Sequence, residues 1–372
     1  MKIPSMRKRE ILFLAVILLF SAALLLIPST APTAAAQDGS LRRVKVKTVD
    51  NSGLEKHGYV WYGSQILTVE LDGKTFRGGN DLRAQMELDK IFVPGETALA
   101  VVNKSTVDPE NDVLTVREHW RNGWSYALFG IFCVFLCIFG SWTGVKALFS
   151  FVFSCLVIWK MVVPLVLRGW HASWLIFAVV CILTFVIIFL VGGVTKKALA
   201  AFAGAISGIF AGLAMAHFFT AVMKINGATM PYIQPLLFGG YGFLDLQDIF
   251  IGGIILASSG AVMDLAMDIA SGVEEVSRHN PELPAKELIL SGLRMGRSVV
   301  GTMTTTLLLA YSGGYLCLLM MFASQGTPVT DFLNNPLVAS EMVKTLVGSF
   351  SLILVAPFTA LIAGWIFRGG RK

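Results

Sequence analysis

The stretch Ile249-Phe-Ile-Gly-Gly-Ile-Ile-Leu-Ala-Ser-Ser-Gly-Ala-Val-Met-Asp-Leu-Ala-Met-Asp-Ile-Ala-Ser-Gly272 decides the class of this chain. As a helix it can cross ~30 Å of hydrocarbon, which takes about 20 apolar residues. Yet it carries Asp264 and Asp268, one helical turn apart. A charge near the middle of a spanning helix costs about 2.5–3.5 kcal/mol on insertion scales, so such a carboxylate is by default a functional-site hypothesis.

The rest of the chain has the same character. It is 55% hydrophobic and 15% charged, with a mean hydropathy of +0.69, outside the range of soluble domains. Apolar runs lie at 11–27, 124–142, 145–167, 174–194, 198–223, 249–272, 299–322 and 345–367, interrupted by one long polar segment. The expectation is a polytopic α-helical membrane protein of about eight spans. Residues 1–36 form the first span or signal anchor, 37–122 an exported β domain, and 123–372 a seven-span helical membrane domain.

Lys and Arg set the orientation. Lys2, Arg7, Lys8 and Arg9 precede the first run; Lys146, then Lys196 and Lys197, then Arg278, Lys286, Arg294 and Arg297, then Arg368, Arg371 and Lys372 fall in every second connection. The intervening connections carry only Arg168, Lys224 and Lys344. Both termini are thus expected in the cytoplasm, with the insert on the outer side of the membrane. The net charge of +6 is mostly this bias and gives no support to nucleic-acid binding. Ala34-Ala35-Ala36 before Gln37 admits a cleavable signal peptide, but the long first run favours a retained span. All five cysteines, Cys133, Cys137, Cys155, Cys181 and Cys317, sit in apolar runs and read as small hydrophobes; no metal site or cofactor is expected.

The insert alternates like a β domain at 44–49 and is rich in Val, Tyr, Ile and Thr over 59–71. Further strands are expected at 74–76, 98–102 and 113–116, with turns at 50–53, 71–73 and 94–95. About five short strands suggest a small barrel of the oligonucleotide/oligosaccharide-binding (OB) type. His57 and His119 are isolated, and no nucleophile or paired-carboxylate set is present, so binding or docking is the expected role.

Inside the membrane, Gly204, Gly208 and Gly212 recur every four residues and predict close helix packing, with Gly260 and Gly301 as further small packing positions. On a helical wheel Ala257, Gly260, Ala261, Asp264, Asp268 and Ser271 share one side, opposite Ile254, Leu265 and Ile269. That polar stripe is expected to face protein or a water-filled crevice. Residues 285–295 read as an amphipathic interfacial stretch, after which Arg294 and Arg297 lead into Thr302, Thr304, Thr305 and Thr306. Two adjacent antiparallel helices would set the aspartates against threonine hydroxyls, with guanidinium groups at the membrane edge. Burial and a neighbouring guanidinium push a carboxyl's proton affinity in opposite directions, and a balanced group can load and release a proton.

The segments Phe243-Leu244-Asp245-Leu246-Gln247-Asp248, Gly260 to Met267, Gly296-Arg297-Ser298, Gly301-Thr302-Met303, Thr306-Leu307 and Ala310-Tyr311 resemble the YibE/F-like membrane protein family. The resemblance covers the whole layout and implies a prokaryotic, multi-pass membrane protein whose family has no established biochemical role. It departs at Asp268, where the family pattern implies a small polar residue, and at Thr305, where it implies asparagine; Asp264 is the safer shared position. A fainter likeness of layout runs to SecD/SecF and resistance-nodulation-division transporters, and it is analogy.

Two functions follow as expectations. One is a secondary transporter or export-linked channel in which Asp264 carries or coordinates a proton or another cation. The other is a non-transporting scaffold whose exported domain binds an envelope partner. The bilayer is the one certain partner, with homo-oligomerisation open; no nucleophile–base or metal-ligand set supports an enzyme.

Overall fold

The structure is a computed structural model that describes residues 8–26, 40–103 and 113–368; Lys2, Arg7, Ala34-Ala35-Ala36, Arg371 and Lys372 lie outside these. It divides into two compact units, Pro32–Phe135 and Met1–Ala31 with Leu136–Lys372.

In the first unit, β1 (Ser40–Asp50), β2 (Leu54–His57), β3 (Val60–Leu71), β4 (Lys74–Arg83), β5 (Thr97–Asn103) and β6 (Val113–His119) form one sheet. Strand β1 pairs with both β3 and β5, so five strands close into the circuit β1-β3-β4-β6-β5-β1, with β2 as an extra hairpin strand on β3. The β4–β6 pair is parallel. The alternation of the sequence points Val44 and Val46, Leu67 and Val69, and Leu114 and Val116 into a dry core. Asp72-Gly73, with φ of 50° and 79°, makes the two-residue turn that an Asp-Gly pair favours.

Strand β4 runs well past the expected 74–76, through Gly78 and Gly79. A Cβ at Gly78 would lie 3.2 Å from Val116 Cγ2 and 3.3 Å from the Leu114 carbonyl oxygen, so the glycine permits close parallel pairing. Buried Gln65 takes over where no strand reaches. Its amide donates to the Phe92 carbonyl and accepts from the Phe92 N–H, both at 3.0 Å, which fixes the fully buried Phe92 as a plug in the barrel core.

The second unit is helical: α1 (Lys8–Leu26), α2 (Asn122–Val157), α3 (Val163–Leu167), α4 (Ala172–Gly192), α5 (Lys196–Val222), α6 (Ile233–Leu236), α7 (Leu246–His279), α8 (Ala285–Gly314), α9 (Leu316–Ser324), α10 (Val329–Asn334) and α11 (Pro336–Phe367). Helix α2 begins in the first unit's span of sequence. Among the described residues, five helical segments are long and apolar enough to cross a membrane, or six if α8 and α9, bent by 66°, count as one. The runs expected at 124–142 and 145–167 are one helical segment, Asn122–Leu167, broken at Ser141 with φ 49° and passing through a π-helical turn. Gly144 sits so close to the Leu136 carbonyl oxygen that no side chain would fit.

At the centre, Gly204, Gly208 and Gly212 of α5 lie against Thr359, Val355 and Ser351 of α11 with no room for a Cβ. Helix α8 uses the same device: Gly292 and Gly296 pack on Ala360 and Ala356 of α11 and on Val273 and Ile269 of α7. The stretch 285–295 forms the first turns of α8, which continues unbroken to Gly314 and is seated through Leu288 and Gly292. Within one chain, no heavy atom of the described residues lies within 4 Å of a Cβ at Gly260 or Gly301, so the close packing expected there has no partner helix in the same chain.

Two outcomes test these arrangements. Gly208→Ala should destabilise the protein by about 1–3 kcal/mol through overpacking, since its Cβ would meet Val355 Cβ at 2.7 Å. Gly301→Ala should be neutral or better, because its site is open; thermal stability in detergent separates the two. In the barrel, burial raises the proton affinity of Glu118. Hydrogen bonds from Lys90 and Arg121 outweigh it and hold the carboxyl below its ordinary range. A depressed carboxyl contributes stability that is present above the unfolded pKa of about 4.3 and lost as pH falls through the folded value. Its side chain is 40% exposed, so solvent limits the effect to about 1 kcal/mol or less. Glu118→Gln should lower protection of β5 and β6 amides from hydrogen exchange at pH 7 and make no difference at pH 2.

Candidate functional site

Helix α7 is set by its caps. Asp245 accepts from the Asp248 N–H at 3.1 Å, and the helix stops at Asn280 before Pro281. Asp248 has a second task that its sequence position hid: its buried carboxylate accepts from the Ser173 N–H at 3.3 Å and so caps α4 from across the bundle, with His171 at 3.8 Å. The two aspartates thus cap different helices, Asp245 α7 and Asp248 α4.

One side of α7, including Phe250, Ile254, Ile255, Val262, Leu265, Ile269 and Val273, is buried among its neighbours. The opposite side carries Gly253, Ala257, Gly260, Asp264 and Asp268, and all five are exposed. The expected wheel is thus present, but the shelter is not. Within a single chain the aspartates open onto a face flanked by α4, where Met267 meets Gly192, and by α8, where Met295 meets Gly272. Neither Asp264 nor Asp268 has a hydrogen bond or ion pair among the described residues.

Helix α8 runs antiparallel beside α7. The contacts Gly296 to Ile269 and Gly292 to Val273 put Arg297 level with Asp268, and Gly301 and Thr302 level with Asp264. Equal depth is not contact. The hydroxyls of Thr302, Thr305 and Thr306 donate to the Val299, Gly301 and Thr302 carbonyl oxygens at 2.9–3.0 Å, so they are used by their own helix. Thr304 presents a buried hydroxyl that has no hydrogen-bond partner among the described residues. Arg294 and Arg297 are exposed and form no ion pair among the described residues.

Toward the Gly314 end of α8 lies a cluster that the sequence reading assigned to loops. Glu341 and Lys344 are paired at 2.6 Å and are only 23% and 22% exposed, because α11 begins at Pro336 rather than at 345. The Lys344 ammonium sits 5.5 Å from the Phe250 ring centroid. The Tyr311 hydroxyl, which has no hydrogen-bond partner among the described residues, lies beside Gly348, where Ser258 and Leu307 also meet. A cavity of ≈250 Å³ opens next to it, lined by Ser312, Tyr315, Phe332, Glu341 and Met342. The i, i+3 acid–base spacing ahead of an apolar run was the available signal. No group of three or more metal-ligating side chains occurs among the described residues.

No curated protein and no solved structure matches the chain. A family model described as YibE/F-like protein matches residues 128–369, which takes in the helical segments from α2 to α11. On that match, together with the apolar helices that suit a membrane location, the chain belongs to the YibE/F-like protein family.

Proposed function

We propose that this protein is a secondary transporter or export-linked channel of the cell membrane, not an enzyme, in which Asp264 carries or coordinates the coupling cation, most simply a proton. One observation carries the reading. The stretch 249–272 of α7, which has no other charged residue, keeps two carboxylates without partners among the described residues on an open face, at the depth of a threonine-rich stretch of its neighbour. Carboxylates at such depth are costly unless they serve a pathway or find a partner. Tyr311 of α8 and the Glu341–Lys344 pair of α11 add a second ionisable cluster toward the other end of α7. In this reading both termini are cytoplasmic, the barrel is outside, and the long helices line the path. The reading does not lean on the layout of SecD/SecF or resistance-nodulation-division proteins.

A second reading, a scaffold whose barrel recruits an envelope protein, is favoured by the threonine hydroxyls being satisfied within α8. The barrel's five-strand circuit, with its parallel β4–β6 pair, supports reading it as an OB-type barrel, a class that binds oligonucleotides and oligosaccharides. The two readings separate in proteoliposomes with an imposed pH gradient. Asp264→Asn should reduce proton-coupled flux to background while the variant remains monodisperse in detergent. Unchanged flux from pH 6 to 8 would rule out Asp264 as the coupling group. Loss of function only on deleting 37–122 would point to the scaffold.

A further inference from the structure

The open face of α7 is incomplete in one chain. We propose that a second copy of this protein covers it, with α8 of each copy laid against α7 of the other about a two-fold axis along the membrane normal. The inference rests on α7 crossing hydrocarbon, and it holds whether or not Asp264 couples transport.

Depth supplies the first argument. Two copies inserted in the same direction can meet only at like depth, so an axis along the membrane normal sets each residue against those level with it. Within the chain, α7 and α8 are antiparallel, and their contacts place Arg297 level with Asp268, Gly301 and Thr302 level with Asp264, and Thr305 level with Gly260. Each of these residues is exposed. The partner's α8 therefore brings the same sequence of groups past the open face of α7: base opposite acid, and hydroxyl-bearing residues opposite small ones.

Charge supplies the second. The carboxylates of Asp264 and Asp268 and the guanidiniums of Arg294 and Arg297 are all exposed, and none has an ion-pair partner among the described residues. A face that holds both signs on adjacent helices is self-complementary under a two-fold rotation, because one contact makes both pairs. An unrelated partner would need its own matching base at that depth. Space supplies the third. No heavy atom lies within 4 Å of a Cβ at Gly253 or Gly260, which leaves the α7 backbone accessible to a close helix, as small-residue faces in membranes allow.

The test uses the full chain with its five cysteines replaced, co-expressed as two tagged forms in native membranes. One form carries Gly260→Cys and the other Thr305→Cys. Mild oxidation should link the two tags at high yield. A Gly272→Cys, Met295→Cys chain, whose positions touch within the fold, reports by its internal link that the chain is folded. Asp268→Arg in both forms should lower the cross-tag link roughly tenfold or more. Adding Arg294→Asp and Arg297→Asp to both should restore it. If the internal link forms and the cross-tag link does not, no second copy covers this face. If Gly260→Cys links instead to a species of another mass, a different protein occupies it. Either result overturns the proposal without bearing on flux.

Discussion

The close approach of α5 and α11 is the constraint from which the helical unit follows. Three glycines on α5 let its backbone press against Thr359, Val355 and Ser351, and α11 then presents Ala356 and Ala360 to two glycines of α8. Lipid tails are as apolar as leucine, so helices in hydrocarbon gain little from hydrophobic burial alone; contact at backbone distance is what holds them. With α5 and α8 both seated on α11, α7 is enclosed on its apolar side, and its remaining face has nowhere to turn but outward. The exposure of Asp264 is thus a consequence of where the glycines are, not of any feature near the aspartate itself.

That dependence explains what the sequence could and could not reveal. The polar stripe of α7 was legible because its spacing is a property of one helix, and so was the glycine row of α5. Whether the stripe was covered was not legible, since that depends on which helices flank it. The same limit made Gly260 and Gly301 look like Gly204: a four-residue spacing marks a flat face but does not say that another helix comes there. Gly292 and Gly296 were passed over because the charges around them suggested a surface piece, when the long side chains of Lys286 and Arg294 simply leave the helix on its free side. Glu341 and Lys344 were placed in a loop because helix starts are read from apolarity, whereas the Asn335 cap and Pro336 set this one earlier.

The barrel was read more fully, because a strand's alternation reports directly on an interior that the same strands enclose. Its errors lie where backbone needs overrule composition. Glycines at 78 and 79 look like a break but serve a crowded pairing. A glutamine in the middle of β3 looks like a surface residue but does the hydrogen bonding that an additional strand would have done at Phe92. Polar residues in a core are informative only once their partners are known.

Helix length carries a last consequence. At ~1.5 Å per residue, α7 extends about 50 Å and α8 about 45 Å, against ~30 Å of hydrocarbon. In the proposed membrane setting, their charged ends nearest the Pro281–Pro284 connection extend past the hydrocarbon. The overhang is braced: Lys197 reaches Glu274 at 3.6 Å, and the Ser277 hydroxyl donates to the Phe367 carbonyl oxygen at 3.3 Å. A braced rod that is part immersed and part free acts as a lever. In the proposed transport role, a tilt of α7 that admits or releases an ion at the aspartates is magnified at its projecting tip.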